Sequence, residues 1–362
     1  MSTLVRQPRY QQIAEDLRLQ VRRGELSVGT RLPSFPEMKR QGVSQNTMEK
    51  VYSLLESDGL IERSTGSGVY VAPAKKRNRT GVIGLACLDS AQPQHFGMHF
   101  YGAQVQEGVR AAAKAHGLHL MLLDSDADEA ALRRLDGVLV APNTRPPMAD
   151  APCVLLDHRH PHMPSVDADD STGISEAIEH LASLGHRRIA YLISGHEPYH
   201  TPRLRAYQSA LLENQIEPNP RWVRHIHEVG KNPTTFVGAA GTRMRQWLRE
   251  DWEQLGCTAL LCQNDQAALG VLEVFRETSL KVPQDVSVIG FDGTEAAEYA
   301  HPRLTTIEVP LHEIGACGVE LLLRLIDGAQ DASTRVLPTK LRIDDSTAPV
   351  GRKNSNTGAR SR

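Results

Sequence analysis

From Val82 to Gly290, short runs of branched apolar residues alternate with longer stretches whose apolar positions recur every three to four residues. Val82-Ile-Gly-Leu-Ala-Cys-Leu88, Leu118-His-Leu-Met-Leu-Leu123, Gly137-Val-Leu-Val-Ala141 and Cys153-Val-Leu-Leu156 read as strands. Arg188-Ile-Ala-Tyr-Leu-Ile193, Ala259-Leu-Leu-Cys262 and Val286-Ser-Val-Ile-Gly290 repeat the theme. Helices are expected over 103–116 (Val105, Val109 and Ala112 inward), 173–184, 203–214, 237–255 and 265–277. A strand that is apolar throughout must be covered on both faces, and helices between such strands supply the cover. The expected class is therefore α/β, with parallel sheets in two lobes.

The chain has 362 residues, more than one core usually holds. No apolar run approaches the roughly 18 residues that span a bilayer. Met1-Ser-Thr-Leu-Val-Arg-Gln-Pro8 lacks the apolar block of a secretory signal. The 5 cysteines are odd in number and widely spaced, so neither a disulfide framework nor a cysteine metal site is indicated. A cytoplasmic protein with no membrane association is the expectation.

Charge divides the chain. Residues 1–79 hold 14 Lys and Arg against 8 Asp and Glu, while the remainder holds 27 against 35. A basic head on an acidic body suits a nucleic-acid module carried by something that must not bind nucleic acid itself.

In the head, Tyr10, Ile13, Leu17 and Val21 share a helix face that stops at Gly24. Ser34 can cap a short helix through about Arg40, and Ser44 a longer one carrying Met48, Val51 and Leu55 to Asp58-Gly59. Residues 60–71 then read as two strands around Gly66-Ser67-Gly68. Three helices and a hairpin make a winged helix-turn-helix, whose second helix of the pair lies in the major groove. Its first turn carries Gln45, Asn46 and Thr47, with Lys50 one turn on. Gln and Asn amides pair with adenine, Thr touches a thymine methyl and Lys neutralises phosphate. A polar helix start explains the same residue types without DNA. The Gly66-Ser67 tip allows close approach to phosphate, and is equally an ordinary hairpin turn.

Residues 8–72 resemble the DNA-binding domain of GntR-family transcription regulators. The matching residues are Tyr10-Gln-Gln-Ile13, Gly24-Glu-Leu26, Gly29, Leu32-Pro-Ser34, Gly42-Val-Ser44, Asn46-Thr47, Lys50-Val-Tyr52, Gly59-Leu-Ile-Glu62 and Gly66-x-Gly-Val-Tyr-Val71. The resemblance implies operator contacts among Ser34, Ser44, Gln45, Asn46, Thr47, Lys50, Gly66 and Ser67. Two departures bear on operator sequence: Pro36 and Gln45 stand where the family usually has arginines.

In open parallel sheets ligands bind beyond the carboxyl ends of the strands. Those positions hold Asp89 and Gln92, then Asn264 and Asp265, then Asp292, with Arg203 opening the helix after Ile193. Carboxylate, amide and guanidinium together suit a polyhydroxylated ligand, though each alone is as readily a loop cap or surface ion pair. Residues 80–347 resemble the effector domain of LacI/GalR-family regulators, itself similar to periplasmic sugar-binding proteins. The likeness rests on Glu179-His-Leu-x-x-Leu-Gly-His-Arg-Arg-Ile-Ala-Tyr191, Arg203-Leu-x-Ala-Tyr207, Asn264-Asp-x-x-Ala-Leu-Gly270, Val282-Pro-x-Asp-Val-Ser-Val-Ile-Gly-Phe-Asp292, Leu304-Thr-Thr306 and Leu337-Pro-Thr-x-Leu341. It implies effector contacts at Asp89, Gln92, Arg145, Arg203, Asn264 and Asp292. Gln94-His95 and Val309 depart from the family's usual residues, so the ligand does not transfer.

The expected organisation is a DNA-binding domain over 1–73, a linker over 74–80, a two-lobed effector-binding and dimerisation domain over 81–348 and a disordered tail over 349–362. The imidazoles of Asp157-His-Arg-His-Pro-His162 could approach a metal, but Pro161 and the missing partner cluster favour a solvated loop. No nucleotide-binding glycine loop or nucleophile elbow appears, so neither a cofactor nor an enzyme is expected. The two resemblances together imply a homodimeric repressor reading a palindromic double-stranded operator and answering to a sugar or related small polar metabolite. An enzyme or a solute receptor on the same two-lobed scaffold is the alternative.

Overall fold

The structure is a computed structural model that describes residues 8–22, 26–40, 42–64, 68–72, 79–86, 99–123, 132–141, 144, 151–157, 160, 163–194, 201–226, 236–329 and 333–351. The chain divides into two units, the larger comprising residues 81–326 and 332–362.

In the smaller unit, α1 (Arg9–Arg22), α2 (Phe35–Arg40) and α3 (Gln45–Ser57) precede an antiparallel pair, β1 (Ile61–Ser64) and β2 (Gly68–Val71). The segment before α2 lies along β2, with Leu32 donating to the Val69 carbonyl at 2.8 Å and Val71 to that of Thr30 at 2.9 Å. Ala14, Leu32, Met38, Met48, Val51, Leu55, Ile61 and Val71 form one small core. Tyr52, packed in it, donates its hydroxyl to the Pro33 carbonyl and so ties α3 to the turn before α2.

The larger unit holds two six-stranded sheets. The first takes β3 (Val82–Ala86), β4 (His119–Leu123), β5 (Gly137–Val140), β6 (Cys153–Leu156), β7 (Ser165–Ala168) and β13 (Arg335–Leu337), in the order β13-β7-β6-β5-β3-β4. The second takes β8 (Ile189–Ser194), β9 (Val223–Ile226), β10 (Ala259–Cys262), β11 (Ser287–Asp292), β12 (Thr305–Glu308) and β14 (Lys340–Arg342), in the order β14-β12-β11-β10-β8-β9. All neighbours run parallel except β14 against β12. In each sheet the first strand is flanked by the second on one side and the third on the other. That reversal opens a crevice at the strands' carboxyl ends.

The helices are α4 (His99–Ala115), α5 (Asp170–Ser183), α6 (Thr201–Glu213), α7 (Phe236–Glu250), α8 (Trp252–Leu255), α9 (Asp265–Glu277), α10 (Glu295–Glu298) and α11 (Leu311–Ile326). The chain passes between sheets three times, at β7 to α5, β12 to α11 and β13 to β14. Asp169 joins two crossings: its N–H donates to the Leu337 carbonyl at 2.8 Å, and its own carbonyl accepts the Thr339 hydroxyl at 2.8 Å.

The helix expected over 237–255 is broken at Asp251. Its carboxylate accepts hydrogen bonds of 3.0 and 2.9 Å from Arg224 and a third from Arg221, and the backbone there leaves the helical region at φ −158°. Strands β7, β9, β12, β13 and β14 fall outside the expected alternation because they are three or four residues long and carry polar or charged side chains.

Helices α4 and α11 approach so closely that a Cβ on Gly315 would stand 2.2 Å from the Val105 carbonyl oxygen, and one on Gly108 2.0 Å from that of His312. Neither obstacle is a flexible side-chain end. Gly315→Val is expected to cost about 1–3 kcal/mol or more by overpacking. Thermal unfolding should fall by several degrees, and an unchanged midpoint would contradict the packing described.

Candidate functional site

Two places collect the expected functional residues. On the head it is the first turn of α3. Ser44 has extended backbone, and its hydroxyl oxygen accepts from the Thr47 N–H at 3.2 Å with the Thr47 hydroxyl 2.8 Å away. Both side chains therefore serve the cap. Gln45, Asn46 and Lys50 are exposed, the Lys50 ammonium lying 5.5 Å from the centre of the Tyr10 ring. Ser34 spends its N–H and hydroxyl on Glu37, at 2.5 and 2.6 Å, capping α2. These hydrogen bonds hold the Glu37 carboxyl below its ordinary range. Gly66 and Ser67 lie outside the described residues.

The head's cations are not equivalent. Arg18 is paired with Asp58 and Glu15, and Arg63 with Glu49 and Glu56. Arg31, exposed and bridged to Tyr70 of β2, is a cation that the sequence motifs do not mark.

In the larger unit the site is the crevice between the sheets. Arg203, on the first turn of α6, has only a fifth of its side chain exposed. Its Nε donates to Asp170 at 2.6 Å and one terminal nitrogen to the Gln263 carbonyl at 3.1 Å. The guanidinium lies 3.9 Å from the centre of the Phe291 ring. Burial works against this charge, but the ion pair and hydrogen bond with Asp170 outweigh it and hold Arg203 protonated. Its plane is fixed by stacking, which is what directional donation to a ligand requires.

Asp292 closes β11 with φ +109°, a conformation that side-chain-bearing residues rarely adopt and that clusters at functional sites. Burial and then the neighbouring Asp265 push its carboxyl well above the ordinary range. Arg203 opposes them, and Asp157 and Asp170 add to the rise. Asn264 precedes α9, its side-chain oxygen capping the helix through Ala267 N–H at 2.8 Å. That leaves the amide as the group able to donate outward.

Two residues outside the expected set join from the first lobe. Asp157 follows β6, accepts the Tyr101 hydroxyl of α4, and accepts from Ala168 N–H at 3.1 Å. Burial, then Asp157, raises the Tyr101 hydroxyl far above its usual range, and both Asp292 and Arg203 act on it as well. The sequence does carry a signal for Asp157, the residue after a strand, but the histidines and Pro161 that follow it read as a solvated loop. Asp170 is hidden inside a helix start, and its Oδ1 is buried without a hydrogen-bond partner among the described residues. The structure thus brings Arg203 and Asp292 together with Asp157, Asp170 and Tyr101, while Asn264 stands at the end of β10 and caps α9.

Asp89, Gln92 and Arg145 lie outside the described residues. So do His158, Arg159, Pro161 and His162 of the loop after Asp157, whereas His160 lies within them. Among the described residues no three His, Cys, Asp or Glu side chains are arranged to hold a metal ion, and no helix is long and apolar enough to cross a membrane.

Residues 9–71 match the bacterial regulatory proteins of the gntR family, and residues 178–347 the periplasmic binding protein-like domain. The chain joins a GntR-type helix-turn-helix domain to a periplasmic-binding-protein-like domain. It is similar to the arabinose metabolism transcriptional repressor of Geobacillus stearothermophilus, 25% identical over 344 residues that cover 88% of this chain and 92% of that protein. The transcriptional repressor CytR of Escherichia coli K12 is 29% identical over 341 residues, covering 88% of this chain and 93% of that one. Among solved structures, a LacI family transcriptional regulator from Enterococcus faecium with bound ribose matches with a TM-score of 0.60 at 25% identity, covering 75% of this chain and 100% of that chain. The GntR-type domain stands at one end of a chain whose relatives over nearly their full length are repressors.

Proposed function

We propose that this chain is a transcription repressor whose operator affinity is set by a small polar metabolite, a sugar or sugar derivative, bound between the lobes. The observation that carries the reading is the buried guanidinium of Arg203, stacked on Phe291 and bracketed by carboxylates at the strand-order reversal. A guanidinium donates to ligand oxygens, while Asp157, Asp170 and Asp292 accept from ligand hydroxyls. Asn264 adds an amide donor, and the remaining contacts are assigned to Asp89, Gln92 and Arg145. The relatives are named as repressors and not as enzymes, which favours binding over catalysis.

The head reads a palindromic operator in the cytoplasm through Gln45, Asn46 and Lys50, with Ser34, Ser44, Thr47, Gly66 and Ser67 along the phosphates. A homodimer presents two heads to two half-sites. Its contact surface includes the edge strand β4, where Leu122 is 55% exposed. Leu122→Asp is expected to weaken self-association by about 2 kcal/mol or more. Sedimentation equilibrium reads this as dissociation at micromolar concentration, and an unchanged dimer would remove β4 from the interface.

Thermal unfolding with D-ribose, L-arabinose and cellobiose tests the cleft. A compound present at about 100 times its dissociation constant stabilises by about 2.7 kcal/mol, a rise of several degrees. No rise with any neutral sugar would count against the effector reading.

A further inference from the structure

Asp265 is wholly buried, yet the helix it opens does not need its side chain, because Asn264 already supplies the cap. Its carboxylate turns instead toward the end of β11. One oxygen accepts from the N–H and the hydroxyl of Thr294, at 2.7 and 2.9 Å. The other accepts the Thr306 hydroxyl at 2.5 Å, and the Thr306 oxygen in turn accepts from the Gly293 N–H at 3.4 Å. On the near side of the turn, a Cβ on Gly290 would stand 2.2 Å from the same carboxylate, so β11 makes room for it only by carrying glycine there. Residues 290, 293 and 294 are thereby all fitted to one side chain, and Asp292, with its rare backbone conformation, lies between them.

We propose that Asp265 is a positioning residue for Asp292: it clamps the turn that aims Asp292 into the cleft and stands behind it as a second buried carboxylate, so that the two respond to the effector as a unit. This rests on the reading of Asp292 as an effector contact. The groups facing Asp292 are Asp265 of α9, Arg203 of α6, Asp170 at the crossing, and Asp157 and Tyr101 of the first lobe, with Arg342 of β14 acting on Asp265. Carboxylates outnumber guanidinium groups among them. Burial pushes Asp265 up to about 6, against the hydrogen bonds from Thr306 and Thr294 and the charge of Arg342. Asp265 in turn adds to the burial that raises the Asp292 carboxyl well above its ordinary range. Donors on an effector favour the ionised form of Asp292, so binding releases a proton. Affinity then rises with pH and is lost as pH falls through the range in which the unliganded pair takes up its proton.

The test is a carboxyl-carbon NMR titration of the full chain labelled at aspartate, without effector, the Asp292 signal being assigned by its loss in Asp292→Asn. In the unmodified chain Asp292 should titrate well above ordinary carboxylates. Asp265→Asn removes the neighbouring charge and should lower that titration by about one pH unit or more. Thr306→Val keeps the charge but strips a hydrogen bond that favours ionised Asp265. The proton then shifts toward Asp265, and Asp292 again titrates lower. A purely structural Asp265 would change unfolding temperature in these variants and leave the Asp292 titration where it was, which overturns the proposal. Should Asp265→Asn fail to fold, Thr306→Val, with a side chain of nearly the same shape, decides alone. If Asp292→Asn leaves binding of the sugars unchanged, the effector reading fails while the titration still judges Asp265.

Discussion

Arg203→Met is expected to abolish effector binding while leaving the head able to bind DNA. The substitution removes the one fixed guanidinium of the described cleft and leaves Asp170, which shares a 2.6 Å ion pair with it, without its partner. Breaking such a pair costs about 3–5 kcal/mol, because the remaining carboxylate stays buried. The larger unit should unfold at lower temperature, and calorimetric titration with any compound that binds the unmodified chain should show affinity reduced at least about 100-fold. Arg203→Lys restores charge without the planar fork and should recover only part of the loss. Effector binding that survives Arg203→Met would place the ligand elsewhere.

That prediction depends on residues that are legible in the sequence to different degrees. Asn264 and Asp292 can be found because each stands at the end of an apolar strand, and Arg203 because it opens the helix that follows one; the crevice at strand ends is a property of the topology. Asp157 obeys the same rule. Asp170 and Tyr101 carry no such mark: each lies within a helix and reaches the cleft only through the way the lobes fold together. Asp265 looks like a second polar residue at a helix start, and only the hydrogen bonds to Thr294 and Thr306, remote in sequence, show where its carboxylate goes. The long apolar strands are plain, whereas β13 and β14 are not, since three residues give no periodicity to detect. The break at Asp251 is invisible for a related reason. It depends on Arg221 and Arg224, which meet Asp251 only in the folded chain.

The second large effect belongs to α3. Replacing Gln45 and Asn46 together by alanine should erase discrimination between operator and unrelated DNA while retaining salt-sensitive binding. Both side chains are exposed on the first turn, whereas Ser44 and Thr47 are occupied with each other and Arg18 and Arg63 with carboxylates. Each bidentate amide–adenine contact is worth about 1–3 kcal/mol against a wrong base. Lys50→Gln should act differently, weakening binding to all sequences alike and reducing the slope of log affinity against log salt by about one. Competition gel shifts at two salt concentrations separate the cases. Equal specificity before and after the double replacement would mean that α3 does not read bases through these residues.

The most direct measurement of the central claim is selection of bound duplexes from a random DNA pool by the full chain, with and without a panel of sugars and sugar acids. A palindromic consensus with adenine at the positions read by Gln45 and Asn46 is expected, with recovery that changes when one compound is added. An enriched palindrome indifferent to every compound would contradict effector control, and no enrichment from a folded dimer would contradict operator recognition.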